Sequence, residues 1–392
     1  MKFNRLIALT MALVLAFTLF ACGPKNVEES AKPSEGTSAP SAQPSLQPSA
    51  QPTAEPSAQP SDPVVSDSEL EPYPSFPPDL SSDSELNPYP GTEKVSVNLG
   101  VLAGPTGVGA AKLINDSDNG ISLNRYNVTI AADNTELVAG LNNGTIDIAT
   151  VASNVALNLY NKSGGKVQII ALGTLGVLHI LEGSGGTSIN SVEDLMGKTI
   201  YSAGQGANPE FILRYILTQY GMDPDNDVEI VFAEPAEITQ KLMSGDIEVA
   251  MLPVPAATAA IIKGEGKIRA AIDITEAWND LNNGSSPIMT AVVARTEFIK
   301  QNKAAVDKFL TEYAASIDYV NNNTEDASHL IAAYGITANA TIAKQAIPQC
   351  HLVCITGKDM APAISDYYMI LFELNPSSIG GYLPDDGIYY VP

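Results

Sequence analysis

The chain is poor in the residues that most enzymes use for chemistry. Its 392 residues include only three histidines, His179, His329 and His351, and only three cysteines. No histidine falls in a His-Glu-x-x-His helix, and no Gly-x-Ser-x-Gly elbow is present, so neither the common zinc hydrolases nor the α/β-hydrolases have their machinery here. Basic residues are scarce, 21 Lys and Arg against 44 Asp and Glu, for a formal charge of −23. That balance argues against nucleic acid and against docking on anionic lipid. Nucleotide loops are incomplete. GPTGVGAAK has alanines at 110 and 111 where a phosphate-binding loop needs Gly-Lys-Ser/Thr, and in GQGANP a proline replaces the last glycine of a dinucleotide fingerprint. Long apolar runs are confined to the N-terminus, from Leu6 to Phe20.

That run, preceded by Lys2 and Arg5, reads as an export signal over residues 1–21 rather than a membrane span. Leu19-Phe20-Ala21-Cys22 resembles the lipobox of bacterial lipoproteins, with Phe20 bulkier than usual. The resemblance implies cleavage before Cys22 and acylation of Cys22, as by palmitate. Buried acyl methylenes, at about 0.8 kcal/mol each, would then hold the protein on the membrane. An ordinary secreted protein is the other reading. Residues 22–93 are a tether: prolines recur at 40, 44, 48, 52, 56 and 60, and SDSELEPYPS is echoed by SDSELNPYPG. This composition has too little apolar surface to offset the entropy of ordering and favours extended polyproline II. At about 3.1 Å per residue it could reach roughly 200 Å.

From residue 94 the pattern alternates strand and helix, which predicts an α/β fold built of βαβ units around parallel sheet. It is also written twice. ELVAGLNNGTIDIATV at Glu136 returns as EITQKLMSGDIEVAML, 101 residues further on (136 to 237), with Leu141/Leu242, Gly144/Gly245 and Ile146/Ile247 in register. Each copy predicts a helix, a glycine-capped turn and a strand whose carboxyl end points to one edge. Open parallel sheets bind ligands at that edge, so two copies facing each other predict a cleft with binding edges on both walls.

TELVAGLNNGTIDIATVASNVALNLYNK, ALGTLGV, SVEDLMGKTI and LTQYGMDPDNDVEIVF resemble extracytoplasmic solute-binding proteins of bacterial ABC importers, of the nitrate/sulfonate/taurine and thiamine-pyrimidine-precursor branch. The likeness covers nearly all of residues 94–392. It implies a two-lobed type II periplasmic-binding-protein fold with the ligand cleft between lobes. Residues 94–185 would begin lobe 1, 186–280 form lobe 2, and 281–392 return to lobe 1 with C-terminal helices upon it. It further implies a non-enzymatic monomer that closes on a small polar solute, sulfonate-like or pyrimidine-like, and delivers it to a permease and its ATPase. No cofactor is implied. A ligand-sensing lobe serving a receptor is an alternative, as is an enzyme of pyrimidine-precursor synthesis.

Five loops leave strand ends toward the expected cleft. They supply Thr106 and Gly107, Ser153 and Asn154, Thr174, the run Gly204-Gln205-Gly206-Ala207-Asn208, and Pro253. Small residues let a ligand approach backbone N–H groups at helix starts, and the side chains add hydroxyls and amides. Each has a purely local role available as well: Ser153 and Asn208 suit helix N-caps, and Gly-Pro-Thr-Gly suits a turn. None is Lys or Arg, which leaves a neutral or zwitterionic ligand open beside an anionic one. Trp278 is expected to pack at the hinge or stack on ligand. His329 is expected to be structural, beside an apolar stripe, and His179 to sit near the crossover. Cys350-His351-x-x-Cys354 offers a disulfide if the segment turns back, or an incomplete soft-metal site, and no metal is assigned.

Overall fold

Hydrophobic period and end signals account for the first βα units. Val97, Leu99 and Val101 are fully buried along β1 (Ser96–Leu102), and Gly104, at φ 86°, turns the chain into α1 (Pro105–Val108). Residues 109–110 separate α1 from α2 (Ala111–Asp118). Next come β2 (Arg125–Ala131), α3 (Asn134–Asn143), β3 (Ile148–Ala152), α4 (Ser153–Ser163) and β4 (Val167–Thr174). Asp133 caps α3 by accepting from Thr135 and Glu136 N–H groups, and Gly144 ends it in the left-handed region at φ 83°.

The structure is a computed structural model that describes residues 93–281 and 284–392. The expected signal, Cys22 and the tether up to residue 92 lie outside the described residues. After β4 the chain runs through β5 (Leu178–Glu182), β6 (Thr199–Ser202), α5 (Asn208–Gln219), β7 (Glu229–Phe232), α6 (Pro235–Ser244) and β8 (Val249–Pro253). Then follow α7 (Ala256–Lys263), β9 (Arg269–Asp273) and α8 (Ile274–Asp280). The SVEDLMGK stretch forms a 3-10 turn in which Ser191 and Asp194 cap each other's backbone, while Leu195 is fully buried. The motif is thus a folded entry into β6. The chain returns through β10 (Thr290–Arg295), α9 (Thr296–Gln301), α10 (Lys303–Asn322), α11 (Thr324–Ala333), α12 (Ala340–Ala346), β11 (Leu352–Thr356) and α13 (Met360–Leu374).

Two sheets result. One has strand order β11-β4-β10-β3-β1-β2, the other β7-β6-β8-β5-β9. In the first, β2, β1, β3 and β4 run one way and β10 is inserted antiparallel between β3 and β4. In the second, β7, β6, β8 and β9 run one way and β5 is inserted antiparallel between β8 and β9. The inserted strand is in each case the one that has just crossed from the other sheet. β5 precedes the boundary expected after residue 185, yet pairs wholly within the second sheet.

The sequence repeat maps onto this symmetry. Helix α6 takes the place of α3 and strand β8 that of β3, and Gly245 at φ 79° matches Gly144. The expected C-terminal helices are present as α9 to α13, with strand β11 between α12 and α13. Two of these later helices touch the second lobe: α12 packs on α7, and α13 packs on α5.

Candidate functional site

The topology fixes where the lobes meet. Strand β4 ends at Thr174 and β5 begins at Leu178, so the crossover is a segment of only a few residues. On the first sheet, Thr290 at the start of β10 pairs with Ala152 and Thr174 at the ends of β3 and β4. On the second, Leu178 and His179 at the start of β5 pair with Pro253 and Asp273 at the ends of β8 and β9. The carboxyl edges of both parallel sets therefore converge on one junction, where such sheets bind ligands.

Ser153 opens α4 directly after β3 and is fully buried, and Asn208 opens α5 after β6 and is 2% exposed. Asn208 Nδ2 donates to Ser153 Oγ at 3.1 Å and lies 3.5 Å from the Met289 carbonyl. Ser153 Oγ donates to the Ile288 carbonyl at 2.5 Å, and its own carbonyl accepts from Tyr368 Oη at 3.0 Å. One sheet's helix start is thereby tied to the other's through the returning segment.

Asn154 and Thr174 are buried beside this contact, and Thr174 also accepts from the Met289 N–H through its carbonyl at 2.8 Å. Thr106 and Gly107 are buried in α1. Gly107 answers a packing need, because a Cβ there would fall 2.4 Å from the Leu102 carbonyl oxygen. Gly204, Gln205 and Gly206 are exposed and Ala207 half-buried, so this turn stands apart from the buried group. Pro253 is half-buried at the end of β8. The structure thus brings Ser153 and Asn208 together, with Asn154 and Thr174 close by in the chain and the sheet, and leaves Gln205 at the surface.

Thr290 and Tyr367 at the junction went unrecognised in the sequence. Thr290 Oγ1 and Tyr367 Oη, like Oδ1 of the expected Asn154 and Asn208, are buried polar atoms without a hydrogen-bond partner, which is uncommon. Tyr367 sits on the apolar stripe of α13, and burial raises its pKa, so it remains a neutral phenol. Its signal was a tyrosine where leucine would have filled the stripe, since a buried phenol needs a partner.

Trp278 is fully buried and packs against Tyr215 at 4.6 Å and Tyr367 at 6.0 Å between ring centroids; its indole N–H reaches Ser285 Oγ at 3.0 Å. It packs between α5 and α13. His179 is 6% exposed with Nδ1 unpartnered; burial lowers its pKa, partly opposed by Asp273 and Glu276. His351 Nδ1 lies 2.6 Å from the Gly176 carbonyl, tying the crossover to the segment before β11. His329 is not beside the apolar stripe. It is exposed, on the face of α11 that carries Glu325, because the buried face belongs to Ala327, Ser328 and Ile331. Cys350 and Cys354 are separate free thiols whose pKa values burial pushes up to about 12 and about 11. Among the described residues no group of three or more His, Cys, Asp or Glu is placed to hold a metal ion.

The two sheets and their exchanged strands make up a two-lobed α/β fold of the type II periplasmic-binding-protein kind. Residues 180–327 match the family model described as NMT1/THI5 like. An ABC transporter protein from Parabacteroides distasonis is similar at 24% identity and a TM-score of 0.63, over 76% of this chain and 99% of that one. The periplasmic aliphatic sulphonate binding protein SsuA from Escherichia coli aligns at 16% identity and 0.62, over 76% and 93%. SsuA from Xanthomonas axonopodis pv. citri, bound to MOPS, aligns at 13% and 0.56, over 75% and 96%. No curated protein matches the chain. The family match and these neighbours fall in the branch that the sequence resembles.

Proposed function

We propose that this protein is the solute-binding component of an ABC importer, which captures a small polar solute by closing its two lobes and presents it to a permease driven by an ATPase. The observation that carries the reading is the Asn208–Ser153 hydrogen bond, which joins helix starts at the carboxyl edges of two separate sheets. A solute held by both edges binds the closed form more tightly than the open one and shifts the population by that difference. Ser153, Asn154, Thr174 and Asn208 are the residues we assign to the solute first, with Thr106, Gly107, Ala207 and Pro253 around them and the Gly204-Gln205-Gly206 turn at the rim. The structural neighbours are binding proteins rather than enzymes, which supports binding without chemistry. In this reading the protein is extracytoplasmic, held at the membrane through acylated Cys22, and works as a monomer. Among the described residues no helix is long and apolar enough to cross a membrane. A thermal-shift screen of sulfonates, pyrimidines, amino acids and small carboxylates tests it, because a true solute stabilises the protein by mass action. A hit that also reduces the radius of gyration in X-ray scattering is the expected result; stabilisation without compaction would remove the closure mechanism.

A further inference from the structure

A cavity of about 560 Å³ lies at the edge of the first sheet opposite the junction, lined by Asn142, Asn143, Lys166, Arg295, Glu297 and Lys300. Three turns form it: the end of α3, the step from α4 into β4, and the step from β10 into α9. Ser153 and Thr174 stand at the far ends of β3 and β4, and β4 alone is eight residues long, at about 3.3 Å each. The three turns are stitched together. Thr296 donates through its N–H to the Lys166 carbonyl at 2.8 Å and through Oγ1 to the Gly165 carbonyl at 2.7 Å, and the Arg295 N–H donates to the Asp147 carbonyl at 3.0 Å. The walls are therefore preorganised, held by backbone bonds that need no ligand.

Three of the lining residues are cations, in a chain with 21 Lys and Arg against 44 Asp and Glu. Arg295 is fixed in place: Nε donates to the Ile146 carbonyl at 3.1 Å and Nη2 pairs with Asp147 at 2.5 Å, so Nη1 is the donor left over among the described residues. That nitrogen lies 3.9 Å from where a Cβ on Gly144 would stand, and the glycine leaves its approach open. Lys166 and Lys300 are exposed, and among the described residues neither forms an ion pair. Glu297 is the one carboxylate in the lining, and it accepts from Gln301 Nε2 at 3.0 Å. Lys162, in the last turn of α4, already meets the negative end of that helix, so Lys166 is not required there.

We propose that this cavity is a second binding site, separate from the solute junction, for the phosphate group of a soluble small molecule. A guanidinium and two ammonium groups around one cavity suit a dianion with several acceptor oxygens better than a singly charged carboxylate. Asn143 adds a neutral donor: its Oδ1 is taken by the Thr145 N–H and hydroxyl, at 2.9 and 2.7 Å, so its Nδ2 is the end left for a ligand. A phosphate on an anionic membrane is disfavoured, since the chain's charge of −23 is repelled by such a surface. The site does not depend on the importer reading, and its failure would leave that reading untouched.

The test is calorimetric titration of the full-length chain with glycerol 3-phosphate and with inorganic pyrophosphate, with glycerol as the neutral control, at low and at physiological ionic strength. Wild type is expected to bind at least one of the two phosphates and not glycerol, and to bind it more weakly at the higher salt. Lys166→Met and Lys300→Met change exposed side chains only, so both should melt as wild type does. Each should weaken phosphate binding about tenfold, the effect of one lost charge-assisted bond, and the double variant more than either. Phosphatidylglycerol vesicles should leave the titration unchanged. Absence of binding by both phosphates, equal binding of glycerol, or phosphate binding that survives in the double variant overturns the proposal. Competition from phosphatidylglycerol vesicles that phosphatidylcholine vesicles do not reproduce also overturns it, because the site would then belong to a lipid headgroup.

Discussion

Asn208 Nδ2 and Ser153 Oγ, 55 residues apart in sequence and on different sheets, lie 3.1 Å from each other and are both buried. A hydrogen bond in that position ties the start of α4 to the start of α5 and so favours the arrangement in which the two lobes meet. A solute entering the junction must either displace the bond or use it as one wall.

Removing either partner should loosen the closed form. Ser153→Ala also deprives the Ile288 carbonyl of its donor, for about 1–3 kcal/mol of lost stability. Asn208→Ala should cost less, because Ser153 keeps its other bond. Both variants should stay folded, bind solute more weakly, and scatter with a larger radius of gyration than wild type. Unchanged affinity in both would put the site elsewhere.

The crossover should be sensitive to a single methyl group. A Cβ on Gly176 would fall 2.2 Å from Thr275 Oγ1 and 3.1 Å from the Pro287 side chain. Gly176→Ala must push α8 and the returning segment away from the crossover. We expect destabilisation of about 1–3 kcal/mol, as for overpacking elsewhere, measured by urea titration. Thr275→Ser in the same chain removes the methyl but not the oxygen and should fail to rescue it, whereas Thr275→Gly should rescue it in part.

Gly144 and Gly245 occupy equivalent helix ends at φ 83° and 79°. Alanine in the left-handed region costs roughly 1–2 kcal/mol. Gly144→Ala and Gly245→Ala should therefore each lower stability by that amount, and the double variant by the sum, since the two caps belong to different sheets. Denaturant midpoints check this.

His179 should make stability fall on acidification. Its folded pKa is lowered, first by burial and then by His351, with Asp273 and Glu276 acting in the opposite sense. Below the ordinary imidazole value, near 6.5, the unfolded chain takes up a proton that the folded chain resists. Stability attributable to this site is complete above that pH and declines from about pH 6.5 down to the depressed folded value. His179→Gln should flatten that part of the curve of midpoint against pH.

The ion pair between Arg295 and Asp147 fastens the start of α9 to β3, at 2.5 Å, and Asp147 also accepts from the Asn98 N–H at 2.9 Å. Asp147→Ala leaves a partly buried guanidinium and a backbone donor without their acceptor. We expect a loss of about 3 kcal/mol, toward the low end for broken buried pairs because Arg295 keeps some solvent. A melt in which Asp147→Ala matches wild type would remove this assignment.

Much of this architecture was legible before any coordinates, because α/β units announce themselves through short apolar runs, helix caps and glycine stops. Glu136 and Glu237 gave away the duplication since both copies must meet the same geometric demand. Residues 287–294 could be read as the returning strand, but the antiparallel insertion of β5 and β10 was hidden, for a strand's neighbours are chosen by long-range packing that leaves no local period. Strand β11 escaped because its five residues follow Cys350 and His351 and drew attention as a cysteine pair instead. At the site, Ser153 and Asn208 were visible as polar residues at helix starts. Tyr367 and Thr290 were not, since one lies in an apolar stripe and the other in a β-rich run, and only burial without a partner distinguishes them. His329 was misplaced because one residue of phase decides which side of a helix meets water.

The reciprocal strand insertion has a consequence for the order in which the halves mature. Every strand of the second sheet, from Leu178 to Asp273, comes from one uninterrupted stretch of chain. The first sheet begins earlier but cannot zip up, since β3 and β4 have a slot between them that only residues 290–295 can fill. The half translated first is therefore the half completed last, and until then it offers two naked strand margins to any passing chain.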